Sequence, residues 1–133
     1  MPSFPSLEWM HAYAAALAAH ERADHLAGSL DGVYRFLIRP GGPVTDTHRY
    51  DLEIRPGDPV HVEASVAQHR PARLEVAADY PRWRDLVTGK ADFVMSYLLR
   101  RVKIEGDLAG IRAHLRDAKP LLDCLRRVET IPD

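Results

Sequence analysis

Histidines and carboxylates are the residues of this chain whose types and spacing offer chemistry. Seven histidines occur in 133 residues. His20 and Asp24 share a helical face at i, i+4 with His25 beside them, while His48, His61 and His69 fall on or near expected strands. Brought together, His48, His61 and His69 would make a metal site or a histidine-based enzyme. Their spacing argues against it, because there is no HExxH, no histidine pair at i, i+4 and no Cys-His pattern. Histidines scattered over the surface are the plainer reading. Nucleophiles fare no better: Ser65, Thr88 and Ser96 have no adjacent base, and no GxSxG occurs. Cys124 falls on the apolar side of the last helix, where it reads as a small core residue. Asp51 and Glu53 lie on a charged strand face, and cross-strand pairs with Arg35, Arg39 or Arg73 account for them. Gly41-Gly42 is a hairpin turn, and Gly89-Lys90 follows a helix where a phosphate loop would precede one. By these residues the chain is not a recognisable enzyme, and they call for no metal and no cofactor.

Charge and composition narrow the field further. Eighteen basic against nineteen acidic residues give a net charge of −1. The cations are dispersed and nearly all arginine, with lysine only at 90, 103 and 119, so a nucleic-acid partner is not expected. Every apolar run is interrupted by a charge, which predicts no transmembrane segment. Nothing at the start reads as a signal peptide, and the single Cys124 makes no internal disulfide. With 46 % hydrophobic and 28 % charged residues the chain has an ordinary globular composition. The expectation is a cytoplasmic protein with one domain over residues 1–133, of which 1–5 form an irregular lead-in.

The elements that must position any site follow from two periods. Ser6 caps an expected helix to about Leu26, with Leu7, Met10, Tyr13, Ala14 and Leu17 on one side. The period then changes from 3.6 to 2. Tyr34, Phe36 and Ile38 alternate with Arg35, Leu37 and Arg39, and Tyr50, Leu52 and Ile54 with Arg49, Asp51, Glu53 and Arg55. Val60, Val62, Ala64 and Val66 oppose His61, Glu63 and Ser65, and Leu74 and Val76 oppose Arg73 and Glu75. Such alternation predicts a mostly antiparallel sheet with one packed and one wet face. Two short helices follow, one with Pro81 in its first turn and Gly89 at its end, the other capped by Asp92. A fifth strand turns Val102 and Ile104 inward, and Asp107 caps a helix carrying Leu108, Ile111 and Leu115. Pro120 is expected to kink or restart that helix before Leu121, Leu122, Leu125 and Val128. The fold class expected is α+β, two-layered, with a five-stranded sheet and helices on one face. Periodicity alone favours an ordinary closed core, but two helices of about two turns each can cover a sheet and leave an apolar cavity.

Residues 79–107 carry a further signal. Asp79, Trp83 and Leu86 precede Gly89-Lys90, and Val102-Lys103-Ile104-Glu105-Gly106-Asp107 follows after one short helix. This stretch resembles the C-terminal half of the sterol carrier protein-2 family, and the order of elements extends the likeness over about residues 6–128. Arg100-Arg101 departs from the glycine and lysine that the family often has before the fifth strand, so a bulge or extended turn is expected there. The ending Thr130-Ile131-Pro132-Asp133 is not a peroxisomal address. The resemblance implies a stand-alone protein of the bacterial type, with an apolar tunnel between sheet and helices. It implies a fatty acid, acyl-CoA, sterol-like or isoprenoid lipid as ligand, without catalysis. By facing, the lining would be Phe36, Ile38, Tyr50, Leu52, Val62, Leu74 and Val76 from the sheet. Leu86, Phe93, Val94, Tyr97 and Leu98 would contribute from the covering helices, each serving either as ligand wall or as plain core. The alternative to a carrier is a non-catalytic interaction or homodimerisation module of the same fold, closed in its core and accessory to an enzyme partner.

Overall fold

Alternating apolar and charged residues let β1 (Gly32–Arg39) bury Tyr34, Phe36 and Ile38 on one side. In the computed structural model of the protein, which describes residues 3–128, four more strands repeat that pattern: β2 (His48–Arg55), β3 (His61–Val66), β4 (Leu74–Asp79) and β5 (Lys103–Gly106). The sheet order is β3-β2-β1-β4-β5. Only β1 and β4 run parallel among these pairs, with Phe36 opposite Val76, and the other three pairs are antiparallel. Leu52 and Ile54 from β2 and Leu74 and Val76 from β4 complete the buried face. The helices are α1 (Leu7–Ala18), α2 (Ala23–Leu30), α3 (Tyr80–Val87), α4 (Phe93–Leu98), α5 (Leu108–Ala113) and α6 (Leu115–Asp123), with a 3-10 turn at Cys124–Arg126. The result is the expected α+β arrangement.

Three helix starts are fixed by the residues foreseen for them, Ser6, Asp92 and Asp107, and Asp79 caps α3. The Ser6 hydroxyl accepts from the Trp9 amide at 3.1 Å, and Asp79, Asp92 and Asp107 accept from Arg82, Met95 and Gly110 at 2.9 Å each. Each such cap contributes about 1 kcal/mol. Gly89 has φ +80 and ends α3 in the left-handed conformation that glycine adopts freely. Gly106 has φ +123, and a Cβ there would lie 2.3 Å from the Arg73 carbonyl oxygen. That close approach lets the Asp107 amide donate to the same carbonyl at 2.9 Å, which ties the start of α5 to β4.

The structure corrects five details. The leading helix is two helices, because the His20 ring accepts from the Arg22 amide at 3.0 Å and meets Asp123 at 3.3 Å. A side chain that bonds its own backbone competes with the helix at that point. The C-terminal break falls at His114 (φ −129, ψ 41), and α6 runs through Pro120, whose ring is buried. The lead-in is not merely irregular: Phe4 is buried, edge-on to Trp9 with ring centroids 4.9 Å apart. Before β5 the turn is tight, with no bulge. Arg100 takes φ 60, and the amides of Arg101 and Val102 both donate to the Ser96 carbonyl. On the outer sheet face Asp51 is completely buried, not in water, while Arg73 bridges Asp31 and Asp107 instead of a strand carboxylate. The expectations for Met1, Pro2 and residues 129–133 lie outside the described residues.

Candidate functional site

The two halves of the sheet are covered differently. α1 packs over β3 and β2 and buries Trp9, Met10, Tyr13, Ala14 and Leu17 there. Over β1, β4 and β5 the cover includes α4 and α5, six residues each, together with α6. Helices this short carry few side chains, and a cavity of about 600 Å³ remains between the layers. That lies inside the range of roughly 300–1,000 Å³ found for ligand pockets.

Tyr34 and Phe36 from β1, Leu74 and Val76 from β4, and Ile104 from β5 make the floor. Phe93, Val94, Tyr97 and Leu98 of α4 face them, with Leu108 and Ile111 of α5 alongside. Tyr13 and Trp83 contribute from α1 and α3, and Leu115, Ala118, Leu121, Leu122 and Leu125 from the C-terminal region. The charged residues of the lining are Arg112, Arg116 and Lys119, all exposed; no carboxylate joins them among the described residues.

Three polar groups of the wall are taken up by backbone carbonyls. The Tyr13 hydroxyl donates to the Leu121 carbonyl at 2.6 Å, the Tyr34 hydroxyl to Leu30, and the Trp83 indole N–H to Leu37 at 3.0 Å. Burial pushes the Tyr13 hydroxyl well above the usual tyrosine range and the Tyr34 hydroxyl up to about 12, so both stay neutral donors. A wall so lined is apolar, offers water few partners and suits an apolar ligand.

No family model matches the chain, and no curated protein matches it. Solved structures do. A sterol carrier protein 2 superposes with a TM-score of 0.74 at 18 % identity, covering 92 % of this chain and 96 % of that one. The fold is that of sterol carrier protein 2. A conserved hypothetical protein from Thermus thermophilus gives 0.73 at 17 % identity, over 96 % of this chain and 91 % of that one. Palmitated sterol carrier protein 2-like 2 of Aedes aegypti gives 0.55 at 11 % identity, over 94 % and 96 %. The likeness that residues 79–107 carry in sequence thus holds for the architecture of the described chain.

Within this sterol carrier fold, seven of the twelve residues expected by facing come together on the cavity: Phe36, Leu74, Val76, Phe93, Val94, Tyr97 and Leu98. Five do not. Ile38 and Leu52 are fully enclosed in the core, and Val62 sits part-buried on β3, in the half that α1 covers. The Tyr50 hydroxyl reaches the Pro5 carbonyl and His48, both at 3.3 Å. Leu86 lines a smaller neighbouring recess of about 230 Å³ with Asp92, Asp123 and Arg126. Facing puts a residue on the correct side of the sheet but not under the correct cover. Tyr13, Tyr34, Trp83 and the α5–α6 residues were not expected in the wall. The stripe Leu108, Ile111 and Leu115 was visible, but its position beside β5 is set by the Gly106 turn.

The histidines stay apart. His48 stacks on Tyr50, His61 meets Glu63 at 3.2 Å, and His69 is exposed. Among the described residues, the group that brings three ligand atoms within 4.8 Å is Glu53, His61 and Glu63, which includes neither His48 nor His69. It lies at the open β3 edge, away from the cavity lining. Among the described residues no helix is long and apolar enough to cross a membrane.

Proposed function

We propose that this protein is a non-catalytic lipid carrier that holds the apolar part of a fatty acid, acyl-CoA, sterol-like or isoprenoid lipid between sheet and helices. The observation that carries this reading is the 600 Å³ cavity, in whose wall the Tyr13 and Tyr34 hydroxyls and the Trp83 indole are bonded to backbone carbonyls. Phe36, Leu74, Val76, Phe93, Val94, Tyr97 and Leu98 would then be ligand wall. The mechanism is sequestration, with roughly 0.8 kcal/mol per buried CH₂ favouring an acyl chain in the cavity over water. A neighbour of the same fold, the Aedes aegypti protein, is palmitated, which supports an acyl chain as one ligand. On this reading residues 1–133 act as one domain in the cytoplasm and pass lipid to an enzyme partner.

Native mass spectrometry of protein purified without detergent tests the proposal. A bound mass of one lipid per chain, released on denaturation, supports it. Ligand-free protein that also takes up no acyl chain would return the fold to the alternative, a closed interaction or dimerisation module.

A further inference from the structure

Six large apolar side chains are exposed among the described residues, and five of them are neighbours of the cavity. Val94, Met95 and Leu98 lie on α4, Leu99 ends it, and Leu115 begins α6; each is 50–64 % exposed. Val94, Leu98 and Leu115 also line the cavity, so the apolar patch and the cavity mouth are one surface. Exposed patches of this kind mark contact sites.

Charge says what kind of contact. Arg112, Arg116 and Lys119 line the same mouth, and Arg100 and Arg101 directly follow Leu99. All five are exposed, and none is in an ion pair among the described residues. The carboxylates nearest in sequence are occupied: Asp92 caps α4, Glu105 pairs with Lys103, Asp107 with Arg73, Asp117 is held by Arg22 and Ser29, and Asp123 meets His20. The whole chain carries a net charge of only −1, so this concentration of cations is local. A second copy seated symmetrically on the patch would bring these cations against one another.

We infer that this surface docks on an anionic lipid bilayer, with the cavity mouth turned toward it. Met95, Leu98, Leu99 and Leu115 enter the boundary between headgroups and acyl chains, and the five cations meet lipid phosphates, the two signals that hold a peripheral protein at a membrane. The inference rests on the carrier reading only for what passes through the mouth; docking itself is a property of the surface.

Cosedimentation with vesicles tests it. The protein should bind vesicles of equal parts phosphatidylcholine and phosphatidylglycerol, bind pure phosphatidylcholine weakly, and be released by salt. Met95→Ser with Leu99→Ser, neither of which lines the cavity, should weaken binding about tenfold. Arg101→Ser should weaken it roughly fivefold, and Arg49→Ser on the opposite sheet face should not. The Met95/Leu99 variant should still take up a fluorescent fatty acid from solution as the wild type does. Equal binding to both vesicle types, or full binding by that variant, overturns the inference. So does a dimer in sedimentation velocity that the same variant dissociates. Vesicle binding by a wild type that takes up no fatty acid keeps the docking and removes the carrier.

Discussion

Arg35 Nε donates to Asp51 Oδ1 at 2.8 Å across the β1–β2 pair, on the sheet face turned away from the cavity. Asp51 Oδ2 accepts from the Gln68 amide at 3.1 Å and from Arg70 Nε at 3.3 Å. Arg35 Nη2 in turn donates to the carbonyls of Gln68 and Arg70. One buried carboxylate therefore pins the loop after β3 across the outer face and holds the register of β1, which supplies Tyr34 and Phe36 to the cavity floor. The ion pair thus lies on the outer face of the sheet and adds no charge to the cavity lining.

Burial pushes the Asp51 carboxyl up, but Arg35, the Gln68 amide and Arg70 outweigh it and hold it below its ordinary value of 3.8. A group depressed in the folded state adds stability above its unfolded pKa and loses it as pH falls through the folded one. Asp51→Asn should lower stability at neutral pH by about 2–4 kcal/mol, because Arg35 loses its charge partner. It should also flatten the decline of the urea midpoint below about pH 4. A variant as stable as the wild type at neutral pH would contradict this role.

Phe93 stands on α4 in the cavity wall, and Arg49 is exposed on the far side of the sheet. Phe93→Asp should weaken binding of a fluorescent fatty acid by more than about tenfold, since a carboxylate there is desolvated whenever lipid is bound. Arg49→Asp should leave binding unchanged. Arg73 is unsuitable as the control, because it bridges Asp31 and Asp107 at the start of α5. Circular dichroism must show both variants folded, and equal affinities would remove Phe93 from the wall.

Cys124 is completely buried, and desolvation pushes its thiol up. Access and thiolate fraction both oppose reaction. A thiol reagent should label folded protein slowly at neutral pH and unfolded protein quickly. Rapid stoichiometric labelling of the native state would contradict the packing of the C-terminal turn.

Arg100 holds φ 60, a left-handed conformation that costs a non-glycine residue about 1 kcal/mol. Arg100→Gly should therefore raise stability by about 0.5 kcal/mol, the relief being partly offset by a looser unfolded chain. Arg100→Val should lower it by about 1–2 kcal/mol, because a β-branched side chain fits that conformation worst. Thermal unfolding of the two variants reads the difference, and the reverse order would refute the strain.

Strand positions, caps and the inward face were legible because each follows from nearest neighbours. Period-2 alternation placed Tyr34, Phe36, Leu52 and Val76 on the packed side, and Ser6, Asp92 and Asp107 announced their helices. What was not legible depends on distant partners. His20, which turns onto the Arg22 amide after α1, has Asp123, 103 residues away, at its other nitrogen, and Asp51 is buried where the Gln68–Arg70 loop folds over it. The cavity was half legible for the same reason. Facing found Phe36, Leu74 and Val76, but which half of the sheet α1 seals is decided by packing, so Leu52 and Val62 fell on the closed half, while Ile38 on β1 is enclosed in the core.

Uptake of an apolar chain is read most directly by titrating a fluorescent fatty acid into folded protein stripped of lipid. The signal should saturate at one equivalent per chain, with a dissociation constant of roughly micromolar order, and unlabelled palmitate should displace it. No saturable, displaceable signal from folded protein at tens of micromolar would contradict a lipid-holding cavity between β1, β4, β5 and their covering helices.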